Sequence, residues 1–197
     1  MESDEALARA FAEGHTGSFE ALVYRYHRPI HAYIQRLLGR TEPAEDLVQE
    51  TFFRFVREVQ RGRVPERVRP WLYRVATNLC RDYWKAAQRR SEPGLLEDWS
   101  PAVLEKPSVS EIYERLETRQ MIRDALDELS EIQKRMVILR FYQDLTYREI
   151  AEVLEVPEGT VKAYLFKALR HLREVFEQRE PMGKGGEGIA ARAISRR

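Results

Sequence analysis

The chain has 197 residues, 43% of them hydrophobic and 33% charged, with a formal net charge of +1, so it can hold two small domains and its overall charge is not that of a polyanion-coating protein. A single cysteine, Cys80, excludes a disulfide framework, and no stretch has the apolar length of a transmembrane helix or the layout of a signal peptide. A soluble protein of the reducing cytoplasm, without membrane insertion, is therefore expected. The near-neutral total conceals two opposed blocks. Residues 61–90 hold nine basic side chains against two acidic ones, a local net of +7, whereas residues 91–131 hold eleven acidic against four basic, a net of −7. Such asymmetry points to nucleic acid as the partner of the basic block.

Almost every periodic segment has helical spacing, and none alternates as a strand does. The pattern predicts a short helix over 4–12. A long helix over 18–38 follows, whose Phe19, Leu22, Tyr26, Ile30, Ile34 and Leu37 lie on one wide apolar stripe. Ser18 is placed to cap it, Gly39 to close it and Pro29 to kink it, since proline removes a donor and crowds the preceding turn. Next come helices over 42–59 and 70–88, separated by a loop rich in Arg, Pro and Gly. His27 and His31 have the i, i+4 spacing of a helical zinc pair, but no HExxH pattern and no nearby cysteine accompany them, so no metal or cofactor is expected. From 91 to 110, Pro93, Pro101 and Pro107 among acidic residues read as an interdomain linker. Its Leu95, Leu96, Trp99, Val103 and Leu104 are apolar enough to dock. Helical spacing resumes over 112–129 and 131–142, and the basic, glycine-rich run 179–197 reads as a mobile tail.

Thr146 and Glu149, three residues apart, form a capping-box signature, and Ile150, Ala151 and Leu154 supply that short helix with a buried face. Val156 fits the corner after it. Pro157 and Glu158 suit the first turn of the next helix: a proline there loses no useful donor, and a carboxylate favours the positive helix end. At about 100° per residue, Val161, Leu165, Ala168 and Leu172 fall on one side of that helix. Lys162, Ala163, Phe166, Lys167, Arg170 and Arg173 fall on the other. A short capped helix, a tight turn and a second helix with an outward basic face make the helix-turn-helix pattern, whose second helix enters the major groove. A plain helical hairpin with a solvated basic face is the bland alternative. The outward Phe166 weighs against it, because a thymine methyl has more use for an aromatic ring than water has.

The helix over 70–88 repeats this logic in another form. Leu72, Val75, Ala76, Leu79 and Tyr83 make its buried stripe, and Arg74, Asn78, Arg81 and Lys85 the opposite face, with Trp71, Tyr73 and Trp84 flanking it. Cations for phosphates, ring faces for stacking and an amide for a base edge suit single-stranded nucleic acid. Aromatic core shoulders beside a wet basic surface would look similar. Cys80, at the border of the stripe, reads as a packing residue. No glycine-rich phosphate loop and no triad-like set appears, so no catalytic site is expected.

The segments "AEDLVQETF" (44–52), "RPWLYRVATNLCRDYW" (69–84) and "LTYREIAEVLEVPEGTVKAYLFKALRHL" (145–172) together resemble the extracytoplasmic-function (ECF) sigma factors of bacterial RNA polymerase. Their order and separation fit as well, and the resemblance spans roughly 18–176. It implies an all-α fold of two small helical domains: region 2 over 1–90, a linker over 91–110, and a region 4 helix-turn-helix over 111–178. It also implies a protein that binds core RNA polymerase, through the β′ clamp and the β subunit, and that binds promoter DNA. An anti-sigma factor is a further partner implied by the resemblance.

By the same resemblance Asp46, Gln49, Glu50 and Phe53 are the polymerase-binding candidates. Those acids also complement a helix dipole, which is their bland reading. The −10 candidates are Arg67, Arg69, Arg74, Asn78, Arg81 and Lys85, with Asn78 at the position of an asparagine that takes an extruded base in some relatives. Thr160, Lys162, Ala163, Phe166, Lys167 and Arg170 are the −35 candidates. Two departures leave the promoter sequence open. Ala163-Tyr164 stands where Ser-Arg is common, and the basic loop 61–69 lacks the usual Phe and Ser. A stand-alone helix-turn-helix repressor or activator is the competing reading. It would dimerise on a palindrome and need no DLVQETF surface.

Overall fold

Aromatic rings from four helices meet in one place and organise the first half of the chain. The computed structural model describes residues 2–39, 42–89, 122 and 124–179. Among them the elements are α1 (Asp4–Ala12), α2 (Thr16–Leu38), α3 (Glu42–Gln60), α4 (Val68–Arg89), α5 (Glu131–Phe141), α6 (Tyr147–Leu154) and α7 (Glu158–Arg179), with no strand. The chain forms two compact units, one of residues 1–102 with 138–161 and one of 103–137 with 162–197. The expected linker residues Leu95, Leu96, Trp99, Val103 and Leu104, and the tail after Glu180, lie outside the described residues.

In the first unit, α1 to α4 pack mutually. Phe55 of α3 lies 6.4 Å from Phe11 of α1 and 6.3 Å from Phe19 of α2, ring centroid to centroid, and meets Trp71 of α4 edge-on at 5.8 Å. A buried polar chain links α2 to α4: Tyr33 Oη and Thr77 Oγ1 share a hydrogen bond of 2.7 Å, and Thr77 donates to the Tyr73 carbonyl at 2.6 Å. Ser3 accepts from the Ala6 amide and caps α1, while Arg25 and Tyr26 of α2 both bond the Asp4 carboxylate.

Helix α2 starts two residues before the expected cap. His15 precedes Thr16 without a side-chain cap bond, and Ser18 lies inside the helix, its amide donating to the His15 carbonyl. Nothing in Thr16-Gly17 forbids helical backbone, so a cap-type residue at 18 could not mark the start. Pro29 sits within α2 without ending it, and Gly39 closes it in the left-handed region at φ 66°.

The turn 142–146 leads from α5 into α6. Leu145 donates to the Leu139 carbonyl at 3.0 Å, and Arg140 donates to the Leu145 carbonyl at 3.2 Å. The expected capping box is present in both directions: Glu149 N–H to Thr146 Oγ1 at 3.2 Å and Thr146 N–H to Glu149 Oε2 at 2.8 Å. Helix α6 packs on α4. Its buried residues are Glu149, Ile150 and Val153, whereas Ala151 and Leu154 are half-buried, so the packed face is turned from the expected one.

Glu155 ends α6 in the left-handed region at φ 56°, and both its amide and that of Val156 donate to the Ala151 carbonyl. A glutamate in that conformation costs roughly 1 kcal/mol relative to glycine. Pro157 stands just outside α7 rather than in its first turn, and its carbonyl accepts from Thr160 and Val161.

In the second unit, Leu129, Met136, Val137, Leu165, Ala168 and Val175 are buried. The Gln133 side chain reaches back to accept from both the Ser130 amide, at 3.2 Å, and the Ser130 hydroxyl, at 2.7 Å, which secures the start of α5. Lys134 pairs with Asp127, and His171 Nε2 lies 3.4 Å from Glu128.

Candidate functional site

On α3, Ala44, Val48, Phe52, Phe55 and Val59 are buried, and Asp46, Gln49, Glu50 and Phe53 occupy the outward face. Asp46 and Gln49 are exposed, and Glu50 is half-buried and accepts from Arg54 at 2.8 Å. Phe53 is 56% exposed, with the Arg57 guanidinium 5.7 Å from its ring centroid. Polar and acidic groups thus surround one open aromatic ring on the outward side of α3. Glu45, on the same helix, lies 3.2 Å from His27 and 3.7 Å from His31, so the histidine pair faces this carboxylate.

The α4 surface divides in two. Arg81 and Lys85 are exposed and Asn78 is half-buried, at helical spacing along one stripe. Trp84 remains exposed beside them. Toward the start of α4 the picture changes, because Arg67 pairs with Glu152, Arg69 bonds the Gln143 carbonyl and lies 3.7 Å from Glu149, and Arg74 lies 3.7 Å from Glu155. Three of the six expected −10 residues are therefore held by acids and a carbonyl of α6 and its flanking turns.

Two of the expected stacking rings belong to the interior. Tyr73 is 1% exposed, lies edge-on to Tyr33 at 5.3 Å, and donates to Gln143 Oε1 at 2.7 Å; Trp71 is half-buried against Phe55. Burial pushes the Tyr73 phenol up, and the nearby Arg69 and Arg36 only partly oppose this. The phenol therefore stays a neutral donor at neutral pH. Spacing misled here because α4 is covered by α2, α3 and α6 together, so a residue flanking the polar stripe still meets protein. Gln143, buried and central to these contacts, carried no sequence signal. Glu149, Glu152 and Glu155 did carry one, an acid every third residue, which the capping-box role of Glu149 obscured.

On α7, Val161, Leu165 and Ala168 are buried as the spacing predicts, with Leu172 half-buried and Val175 continuing the face. Lys162, Ala163, Lys167 and Arg170 are exposed, Phe166 is 68% exposed, and Thr160 is half-buried near the helix start. Arg170 lies 3.8 Å from Glu174 one turn on. Cations flanking an open ring on one helix offer phosphate contacts and an apolar contact for a base methyl.

Among the described residues no group of three or more metal-type ligands is placed to hold an ion, and no helix is long and apolar enough to cross a membrane.

Residues 22–90 match the family described as Sigma-70 region 2, and residues 119–172 match Sigma-70, region 4. Over 186 residues the chain is 30% identical to the ECF RNA polymerase sigma-E factor of Haemophilus influenzae, which covers 90% of this chain and 95% of that one. It is 28% identical over 173 residues to the ECF RNA polymerase sigma-E factor of Escherichia coli, covering 84% and 90%. Among solved structures, CnrH in complex with the cytosolic domain of CnrY is similar with a TM-score of 0.68 at 20% identity, covering 91% of this chain and 100% of that one. The sigma factor RpoE of Bartonella quintana, solved with the anti-sigma factor NepR, is similar with a TM-score of 0.63 at 20% identity, covering 82% and 98%. At that identity the structural likenesses speak for the fold.

Proposed function

Because this chain belongs to the extracytoplasmic-function (ECF) sigma factors of RNA polymerase, we propose that its outward faces on α3, α4 and α7 divide the work of promoter recognition. The protein binds core RNA polymerase, recognises −10 and −35 elements and promotes melting and initiation, and the chemistry of RNA synthesis belongs to the polymerase. Residues 1–90 serve as region 2, 91–110 as the linker and 111–178 as region 4. Asp46, Gln49, Glu50 and Phe53 dock on the β′ clamp, and Lys162, Ala163, Phe166 and Lys167 approach the −35 duplex. Asn78, half-buried on the polar stripe of α4, reads a −10 base taken out of the stack. Extruding that base costs a few kcal/mol, which pocket hydrogen bonds and stacking must offset. The cytoplasm is the place of action. An anti-sigma factor is the proposed regulator, in keeping with the similar Bartonella quintana sigma factor, whose structure was solved with the anti-sigma factor NepR.

The observation that carries this reading is the coexistence, in one chain of this family, of an open aromatic patch on α3 and an open basic face on α7. Transcription from a random promoter library, with purified core enzyme and this chain, tests it directly. Failure to associate with core, or association without transcripts, would overturn it. Tight sequence-specific duplex binding by the chain alone would instead favour a free-standing regulator.

Two variants probe the assigned faces. Asn78→Ala is expected to slow open-complex formation by about tenfold or more, the worth of one good base contact, with core affinity unchanged. An equal loss of both would contradict the role. Lys162→Ala and Lys167→Ala are each expected to weaken −35 engagement and, if the lysine touches phosphate, to flatten the dependence of log affinity on log salt by about one. Unchanged −35 footprints in both would reject that face of α7.

A further inference from the structure

Residues 61–67, Arg-Gly-Arg-Val-Pro-Glu-Arg, join α3 to α4, and a carboxylate from outside the loop holds each end. At the start, α3 closes in a Schellman motif: Gly62, left-handed at φ 75°, donates to the Val59 carbonyl at 2.9 Å, and the Arg63 amide donates to the Glu58 carbonyl at 3.0 Å. Glu58 holds Arg63 a second time through its side chain. The guanidinium Nε and Nη2 donate to the two carboxylate oxygens at 2.7 and 2.9 Å, fork to fork, and Arg61 lies 3.5 Å from the same carboxylate. These hydrogen bonds from Arg63 hold the Glu58 carboxyl below the usual carboxylate range, so the clamp stays charged at neutral pH.

At its far end the loop enters α4 without a local cap. Arg67 precedes the helix and has no side-chain oxygen to offer its first amides. Val68 is 0% exposed, so its amide cannot turn to water and needs a partner inside the protein. Glu5 of α1, 63 positions earlier, accepts from that amide at 3.4 Å and sets a negative charge at the positive end of α4. Glu5 is itself held in place, because Ser3 caps α1 and the adjacent Asp4 bonds Arg25 and Tyr26 of α2.

We propose that Glu5 and Glu58 are positioning residues for −10 recognition: by clamping 61–67 at both ends, they hold the loop and Arg67 in one arrangement before the unpaired strand arrives. A loop ordered in advance loses less freedom on binding. It also discriminates better, since a loop free to adapt accepts bases that a fixed one rejects. Neither glutamate touches DNA; Glu5 acts through the Val68 amide and Glu58 through Arg63. The role gives α1, which carries none of the assigned faces, a part in promoter reading. It rests on the reading that the −10 strand meets the loop and the helix that follows it.

Amide hydrogen exchange of 61–68 in the free full chain reads the clamp itself. Glu5→Ala is expected to raise exchange at Val68 about tenfold, and Glu5→Gln, which keeps an acceptor oxygen, to restore most of the protection. Glu58→Ala removes a part-exposed pair worth at most about fivefold, so exchange over 61–64 should rise about threefold. Unchanged exchange in both alanine variants, or a glutamine no better than alanine at position 5, would overturn the proposal.

The positioning role is read with core polymerase, on a promoter selected by the wild-type chain and on the same promoter with one −10 base changed. The ratio of the two open-complex rates should fall about fivefold in Glu5→Ala and in Glu58→Ala, with core affinity unchanged, and should be kept in Glu5→Gln. A residue that served stability alone would lower core binding and both rates together, leaving the ratio as it was. Should Glu5→Ala fail to fold, Glu58→Ala at its exposed ion pair and Glu5→Gln still decide the matter. A transcribing wild-type chain whose variants keep full discrimination overturns the positioning role alone. Exchange that rises as expected in a chain that starts no transcripts upholds the clamp and overturns the −10 reading beneath it.

Discussion

Phe55→Ala is expected to destabilise the first unit by about 3–5 kcal/mol, the cost of removing a large buried ring whose space its neighbours cannot fill. The ring is 1% exposed and touches aromatic partners from α1, α2 and α4 at once, so the cavity would open where four helices meet. Stacked and edge-on geometry adds to the burial term, since aromatic pairs contribute roughly 0.5–1.5 kcal/mol beyond area. Urea or guanidinium unfolding followed by tryptophan fluorescence checks it, because Trp71 packs directly on Phe55. A loss below about 1 kcal/mol would mean that the four-helix contact is not where the stability of this unit resides.

Two residues away the expected result reverses. Phe53→Ala should change folding stability by less than about 0.5 kcal/mol, because the ring is 56% exposed. Its affinity for core RNA polymerase should nevertheless fall by about thirtyfold, near 2 kcal/mol, the loss expected when a central aromatic anchor leaves an interface. Positions 53 and 55 differ by about 200° around a helix, so one ring points into the bundle while the other points away from it. Fluorescence anisotropy of labelled protein titrated with core enzyme, beside an unfolding curve of the same variant, separates the two effects. Intact folding with unchanged core affinity would remove Phe53, and with it the α3 patch, from the docking surface.

The burial pattern of α7 was legible because Val161, Leu165 and Ala168 follow the helical period in a segment with polar residues on its other side. The start of the short helix before it, α6, was legible through Thr146 and Glu149, whose capping box depends only on atoms three residues apart. Helix α4 was harder. Its polar stripe at Asn78, Arg81 and Lys85 faces outward, but of the rings expected to flank that stripe for stacking Tyr73 is buried and Trp71 is half-buried against Phe55, which is the core-shoulder alternative. A helix covered from several sides shows a narrow exposed stripe, and the edges of that stripe are set by neighbours distant in sequence.

Sequence alone determined the helical class, the capped short helix with its following turn, the cysteine-poor composition and the membership carried by three motifs in order. Each of these depends on residues within a few turns of one another or on composition. Only the tertiary structure decided which rings were core and which were open. It also placed Gln143 on Tyr73 and set Glu149, Glu152 and Glu155 against Arg69, Arg67 and Arg74. Those pairings join residues 70 to 85 positions apart, and a guanidinium accepts any correctly placed carboxylate, so local pattern cannot say which acid it will meet.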